Sequence, residues 1–412
     1  METGEAIEDQ FSKLHPCFHT DTRIGIIGAG PSGLSAAYAL CKLGYTNVTV
    51  LEKHHSVGGM CESVDIEGSI YDLGGQVLAA NSAPTIFHLA KEIEAEIEEL
   101  DNHKFATINT STGKYDDTKV IDDYVSVISL TLKLQDEAKA TGRNGVHAIS
   151  DIASELTPSF LKAHGLTSVP KSVAYGFTAS GYGFVQDMPY AYVHEFTRTS
   201  MAGKIIRFKG GYTSVWDKIN KQLPAQVHCN TRVLTVKRHA ERISVKAKIV
   251  DGEARDMEFE FDKLIVSGSL PIDSGKTYRS PLKPTEENVN GVMDLHDLEK
   301  ELFSKVETID YYTTVLKIDG LKHIPVGFYY FREFMDDPKT VGNPVAMQRF
   351  YSDTNIFLFW SYGNSADIVG EKVTELAVDA VTSMGGKVEK LILQRRFKYF
   401  PHVNSQGRLK KL

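Results

Sequence analysis

Gly28, Gly30 and Gly33 stand in strict G-x-G-x-x-G spacing, and an acid, Glu52, follows the last of them by nineteen residues. Glycines in this pattern hand the chemistry to the backbone. The first permits a tight turn, the second lets the main chain approach a pyrophosphate, and the third lets a helix pack closely on a strand. A helix opening at Pro31, Ser32 and Gly33 would aim free N–H groups and a partial positive charge at phosphate oxygens. Glu52, with Lys53 beside it, is placed to accept ribose hydroxyls. An acid rather than a cation at position 52 disfavours a 2′-phosphate, so NADP does not suit the site. The chemistry predicted is dinucleotide binding.

The elements needed to position these residues are legible around them. Arg23 to Ile27 is a short β-branched run that suits a buried parallel strand. SGLSAAYALCKLG reads as a helix that ends at Gly44, and Val48 to Leu51 as a second strand with Glu52 at its carboxyl end. In a plain NAD domain helix and strand would keep alternating. This chain instead continues EKHHSVGGMCESVDIEGSIYDLGGQVL, where Gly58-Gly59 and Gly74-Gly75 offer two further places for backbone to lie against a ligand.

An acid ending the second strand, then a Gly-Gly pair, then a D-x-G-G-like turn resembles the flavin-containing amine oxidoreductase superfamily. The resemblance implies FAD. It would put Glu52 on the ribose, Gly58, Gly59 and Met60 along the ribityl chain, and Gly74, Gly75, Gln76 and Val77 near the isoalloxazine ring. Met60 departs from the pattern, since many members carry Arg there, so the cationic contact usual in the amine oxidases is not expected. By the same resemblance Val233 meets the adenine through its backbone, and Val266 to Gly268 close the sheet beside the nucleotide loop.

The combination EKHHSVGGMCES, YDLGGQVL, RFKGGY and QRRFKYFPHV is most similar to the polyenoic fatty acid isomerase-like branch. That branch implies a redox-neutral reaction, in which a hydride leaves an allylic carbon for flavin N5 and returns at another carbon. Such chemistry belongs to the flavin and needs no general-base dyad or nucleophile motif. None is visible; Ser32 and Ser35 lie in the nucleotide loop and helix rather than in a nucleophile elbow.

The fold class expected is α/β, a Rossmann-type FAD-binding domain with an inserted α+β substrate domain. Residues 20–82 and 205–291 would form the first, 83–204 and 292–400 the second, and 401–412 a short basic tail. Residues 83–204 read as mostly helical, with APTIFHLAKEIEAEIEEL as one amphipathic helix and HAISDIASELTPSFLKAHG as another. The stretch SVAYGFTASGYGFVQDMPYAYVHEF is either an aromatic wall for an apolar substrate or core between helices. From 205 a Gly-Gly-Tyr turn opens a helix, and the segment from VHCNTR onward alternates like a β-meander. Four apolar runs, YYTTVLKIDG, GFYYFREF, VAMQRFYS and NIFLFWSYG, read as antiparallel strands. The superfamily normally continues after a segment like YFPHV with a last strand–turn–helix at the flavin; this chain reads NSQGRLKKL there, so that contact is expected to be missing.

Two residues are candidates for substrate chemistry. Arg207 could pair bidentately with a carboxylate head group, or form a surface or interdomain salt bridge. Tyr212 could face the flavin edge, or pack in its own turn. The adjacent His54 and His55 diverge on a strand-end loop, and the four cysteines have no paired spacing, so no metal site and no disulfide framework are expected. A net charge of −7 argues against nucleic acid as a partner. The acidic N-terminus lacks an apolar targeting run, no stretch is long and apolar enough to span a bilayer, and the expected location is the cytoplasm. Three functions follow: an FAD-dependent oxidoreductase or isomerase for a small apolar, fatty-acid-like substrate; an amine, carotenoid or porphyrinogen-type oxidase; or a catalytically silent flavoprotein-like chain. The oligomeric state is not readable from the sequence.

Overall fold

A computed structural model describes residues 14–79, 84–100, 102–116, 124–142, 155–166, 170–200, 204–250, 254–268, 292–336, 341–364 and 368–403. The chain divides into two units. Met1–Glu99, Ile205–Asp273 and Glu287–Phe303 form one, and Leu100–Lys204, Ser274–Glu286 and Ser304–Leu412 form the other.

In the first unit, IGII forms the strand Ile24–Ile27 and VTVL the strand Val48–Leu51, whose four residues are all buried. Parallel strands are covered on both faces, which is why both segments are near-continuous apolar runs. They pair in parallel, Ile24 opposite Val48 and Ile27 opposite Leu51. Lys263–Val266 adds beside the first and Gln226–His228 beside the second, giving a four-stranded parallel sheet. Gln226–His228 is therefore not the start of the meander; three residues carry too little periodicity to tell one sheet from another. The meander proper is Thr231–Arg238, Ile243–Ile249 and Arg255–Phe261. The helix Pro31–Lys42 starts with a proline whose φ is preset for a first turn. Its Leu34 and Ala37 pack with Ile26, Val50, Val215, Trp216 and Ile219 in one core, each buried. Fully burying one large apolar side chain contributes about 1.5–3 kcal/mol, so this cluster outweighs the exposed ion pairs around it.

APTIFHLAKEIEAEIEEL is not one helix. The helix Pro84–Glu92 stops, and Ile97–Glu99 is a strand. Glu94 takes φ 54°, its N–H donates to the Lys91 carbonyl at 3.1 Å, and the Ala95 N–H donates to the Ala90 carbonyl at 2.8 Å. These two bonds close a helix in a Schellman turn, here without the usual glycine to announce it. Ile97–Glu99 and Leu78–Ala79 flank the strand Ile205–Phe208. Residues 84–99 and the helix Asp297–Phe303 thus belong to the first unit rather than to the substrate region.

The second unit is built on a seven-stranded sheet in the order Lys387–Val403, Val306–Asp319, Ile356–Tyr362, Pro344–Arg349, Gly327–Phe331, Lys104–Ile108, Tyr115–Asp116. Every residue of Pro344–Arg349 and Ile356–Tyr362 is buried, so the middle of the sheet is covered on both faces. The four apolar runs form the strands expected of them, while Lys104–Ile108 joins in parallel. That strand and Tyr115–Asp116 interrupt a stretch, 83–204, that is otherwise mostly helical among its described residues, as expected; KFATI is too short a run for its alternation to stand out. Helices cover Tyr124–Ala140, Thr157–Ala163, Lys171–Ala179 and Tyr190–Ser200. Phe160, Phe177, Tyr190 and Val193 are almost wholly buried among one another, so much of the aromatic stretch is helix core. Residues 147–154 of the second expected helix, and the tail from 404, lie outside the described residues. Among the described residues no helix is long and apolar enough to cross a membrane.

Candidate functional site

The carboxyl end of the parallel sheet carries the glycine loop. The Gly28 N–H donates to the Leu51 carbonyl at 2.8 Å, which ties the loop to the second strand. Ser267, just past Lys263–Val266, grips it from the other side: its N–H donates to the Ile27 carbonyl at 2.9 Å, and its Oγ lies 3.0 Å from the carbonyls of Ile27 and Gly28. A Cβ built on Gly33 would stand 1.9 Å from the Gly28 carbonyl oxygen, so only glycine lets the helix start this close to the strand. Gly30 is the N-cap of Pro31–Lys42, and no side chain caps that end. The first-turn N–H groups of a helix have no partner within it, so this end presents donors and positive potential.

Glu52 is 5% exposed. One carboxylate oxygen accepts the Ala29 N–H at 2.7 Å and the other the His54 N–H at 2.8 Å. A carboxylate offers about four lone-pair sites, so two remain for hydroxyl donors. The first Gly-Gly pair docks on the same loop. The Gly58 N–H donates to the Ala29 carbonyl at 2.9 Å, and a Cβ on Gly59 would come 3.0 Å from Gly30 Cα. Backbone meets bare backbone there, with only the Pro31 ring alongside, 3.6 Å from that Cβ. The Gly75 N–H donates to the Met60 carbonyl at 3.0 Å, joining the second Gly-Gly turn to the first.

One further buried carboxylate of this region, Asp72, lies within the YDLGGQVL motif. Asp72 ends the hairpin Ser63–Ile66/Ser69–Asp72, and its Oδ1 accepts from the Tyr212 N–H at 2.8 Å and the Ser63 hydroxyl at 2.5 Å. Ser63 Oγ accepts the Thr213 N–H at 3.0 Å, so the helix Tyr212–Gln222 is capped by the hairpin rather than by its own Gly211. An acid placed just before a Gly-Gly turn was the available signal. Burial pushes the Asp72 carboxyl above the ordinary aspartate range, against the opposing pull of Ser63, the Tyr212 N–H and Arg207. A carboxyl raised in the folded state binds its proton more tightly there than in the unfolded chain. Its contribution to stability is therefore greatest at low pH and declines as pH rises from the aspartate range through the raised value. Asp72→Asn removes the titration and keeps an acceptor for Tyr212. Between about pH 4 and about pH 7 the wild-type melting temperature is expected to fall relative to that of the variant. A rise instead would mean that the pull of Ser63, the Tyr212 N–H and Arg207 together outweighs burial.

Gly28, Gly30, Pro31, Gly33, Glu52, Gly58 and Gly59 are thus assembled at one place, with Gly74, Gly75, Gln76 and Val77 attached through the Met60 carbonyl. Ser32 and Lys53 are exposed, and Met60 is 36% exposed. Val233 lies in the meander at a bulge, where the register shifts before Thr235, and packs on the cluster that includes Leu51 and Ile27. His54 and His55 are exposed, and the described residues contain no group of three metal-ligating side chains.

Arg207 and Tyr212 are both held inside the first unit. Arg207 is 1% exposed; its guanidinium pairs with Glu98 at 2.9 Å and donates to the Ile70 carbonyl at 3.3 Å. It is committed inside the first unit as a salt bridge and hairpin brace, which leaves the carboxylate-anchor reading without support. The Tyr212 ring packs 5.0 Å from Phe208 and 6.2 Å from Trp216, and a Cβ on Gly75 would touch it at 3.4 Å. Burial pushes its phenol well above the ordinary range, so it is a packing residue and a poor proton donor.

Residues 31–291 match the family described as flavin containing amine oxidoreductase. The chain belongs to this family. Among curated proteins it is 48% identical over 58 residues to the polyenoic fatty acid isomerase of Ptilota filicina, covering 14% of this chain and 12% of that protein. It is 42% identical over 65 residues to the mitochondrial protoporphyrinogen oxidase of Nicotiana tabacum, covering 16% and 13%. These matches span about an eighth of each relative. A crystal structure of a CLA-producing fatty acid isomerase from P. acnes superposes with a TM-score of 0.77 over 95% of this chain and 90% of that one, at 21% identity, which shows a shared fold. FAD is the cofactor that membership of this flavoprotein family implies. Two observations fit it: the backbone surface where Gly30 faces Gly59, and the uncapped helix end beside a buried carboxylate with lone pairs to spare.

Proposed function

We propose that the chain is an FAD-dependent oxidoreductase or double-bond isomerase for an apolar, fatty-acid-like substrate. The observation that carries this reading is the cradle of the first unit, where an uncapped helix end, a buried acid and two glycine turns converge. In this reading the N–H groups of Ser32 and Gly33 hold the pyrophosphate, and Glu52 holds the ribose hydroxyls while its own orientation is fixed by Ala29 and His54. Gly58 to Met60 would flank the ribityl chain and Gly74 to Val77 the ring, with Asp72 fixing both the turn and the helix behind it. Lys53 would stand at the mouth and the Val233 backbone at the adenine. Bound FAD supplies hydride chemistry at its N5 atom. The protein's part is then to orient the substrate and exclude water.

The fatty acid isomerase relatives favour a redox-neutral reaction. The protoporphyrinogen oxidase relative supports a second reading, an oxidase whose turnover releases peroxide. The visible spectrum of the purified protein, recorded after FAD is added and the sample gel-filtered, tests the shared part. A retained flavin band, bleached anaerobically by linoleic acid, is the expected result. A shifted double bond without peroxide then points to the isomerase, and peroxide in step with substrate loss to the oxidase. A protein that keeps no FAD overturns both.

A further inference from the structure

The second unit buries one amide that nothing among the described residues satisfies. Gln348 sits in the middle strand Pro344–Arg349 and is 1% exposed, yet neither its Oε1 nor its Nε2 has a hydrogen-bond partner. Its neighbour Arg349, on the opposite face, shows what the fold does with a buried polar group it intends to satisfy. There Nη1 donates to the carbonyls of Lys322 and Ile324 and Nη2 to that of Ser352, which leaves only Nε without a hydrogen-bond partner. An amide taken out of water without partners bears its full desolvation penalty, and such groups are rare in folded proteins.

The register explains what covers it. Gln348 is opposite Phe328 on one side and Leu358 on the other, and the next row on the same face is Tyr330, Ala346 and Trp360. Phe328 and Trp360 stand on strands separated by the Gln348 strand, about 9–10 Å apart. Their rings nevertheless lie 6.4 Å apart and nearly parallel at 17°. They lean together over the middle strand, where Ala346 is small enough to leave room. Phe105 continues the stack, 5.1 Å from Phe328 at 14°, and is 47% exposed. An aromatic ladder thus runs from an exposed end at Phe105 to Trp360 and lies across the strand that carries the unsatisfied amide.

We propose that Gln348 is a specificity-determining residue that receives the polar end of a ligand whose apolar chain lies along Phe105, Phe328 and Trp360. This rests on the apolar-substrate reading and narrows it. A glutamine amide both donates and accepts, so its complement is a neutral group that does the same: a hydroxyl, a protonated carboxyl or a primary amide. An ionised carboxylate would find no free cation in that row, since Arg349 points to the other face and is already held.

The chain has two tryptophans, and one of them, Trp360, reports on this place. The test titrates FAD-loaded protein with 1-octanol, octanoate at pH 8 and 1-octene, reading tryptophan emission. 1-Octanol is expected to bind more tightly than octanoate, with a response that disappears in Trp360→Phe. Gln348→Met keeps the length of the side chain, removes both polar atoms and is expected to melt no lower than the wild type. It should weaken 1-octanol about tenfold and leave 1-octene unchanged. The proposal is overturned if 1-octanol binds the variant as well as the wild type, or if 1-octene weakens equally. Flavin bleaching by linoleic acid is a separate readout. If bleaching fails while Gln348-dependent octanol binding persists, the catalytic reading falls and this site stands; the reverse pattern sinks the site alone.

Discussion

Gly33→Ala is expected to yield a protein that retains no FAD and loses about 3 kcal/mol of stability. The added Cβ would sit 1.9 Å from the Gly28 carbonyl oxygen and 2.8 Å from Ser267 Oγ. The carbonyl cannot swing aside, because the Gly28 N–H is bonded to Leu51 and its oxygen faces the Ser267 hydroxyl. The helix Pro31–Lys42 would have to lift from the strand Ile24–Ile27, and with it the N–H groups proposed to hold the pyrophosphate. Urea melts and flavin absorbance after gel filtration measure both losses. Gly30→Ala separates the cradle from the fold. Gly30 has φ −72°, which alanine adopts freely, and its Cβ would stand 3.7 Å from Gly59 Cα, an ordinary contact. That variant should melt like the wild type yet bind FAD at least tenfold more weakly, because a methyl now stands on the backbone surface. Wild-type FAD affinity in Gly30→Ala would refute the location of the pyrophosphate.

Glu52→Ala should weaken FAD binding about a hundredfold and destabilise the protein by about 2 kcal/mol even without flavin. The two losses have different origins. With the carboxylate gone, the Ala29 N–H, in a residue with no exposed surface, has no acceptor, while the exposed His54 can turn to water. The loop that carries Gly28 and Gly30 then loses one of its two ties to the second strand's end and keeps only the Gly28–Leu51 backbone bond. The affinity loss adds the two hydroxyl contacts proposed for the ribose, each charge-assisted. Glu52→Gln tests the assignment more finely. It keeps the size, but one of its two polar ends is a donor facing a donor, so FAD affinity should fall to between those of the wild type and Glu52→Ala. Quenching of flavin fluorescence gives the affinities. Glu52→Gln binding FAD as tightly as the wild type would mean that the acid only braces the loop.

What these variants probe was legible in the sequence because it is local. Gly28, Gly30 and Gly33 act on backbone within a few residues of themselves, and the runs IGII and VTVL announce buried parallel strands by composition alone. Glu52 follows from its place at the end of a strand. The two further Gly-Gly turns and the flavin family were legible for the same reason, since each is a short motif whose geometry is fixed by its own residues.

The rest was decided by partners distant in the chain. Arg207 looks available to a ligand until Glu98 and the Ile70 carbonyl are seen to occupy it. Asp72 acquires a role only when the helix at Tyr212 is brought against its hairpin. The helix after Pro84 ends at a left-handed glutamate that no residue type predicts. Gln348 reads as one polar residue in an apolar strand. Its isolation is visible only when the strands that place Phe328 and Leu358 opposite it are brought together. Sequence by itself determined the nucleotide loop, the family and its cofactor, since backbone freedom and short-range periodicity are properties of adjacent residues. Which charges are spent, which turns are locked together and which amide is left without a partner are properties of surfaces that meet only on folding, and tertiary structure alone decided them.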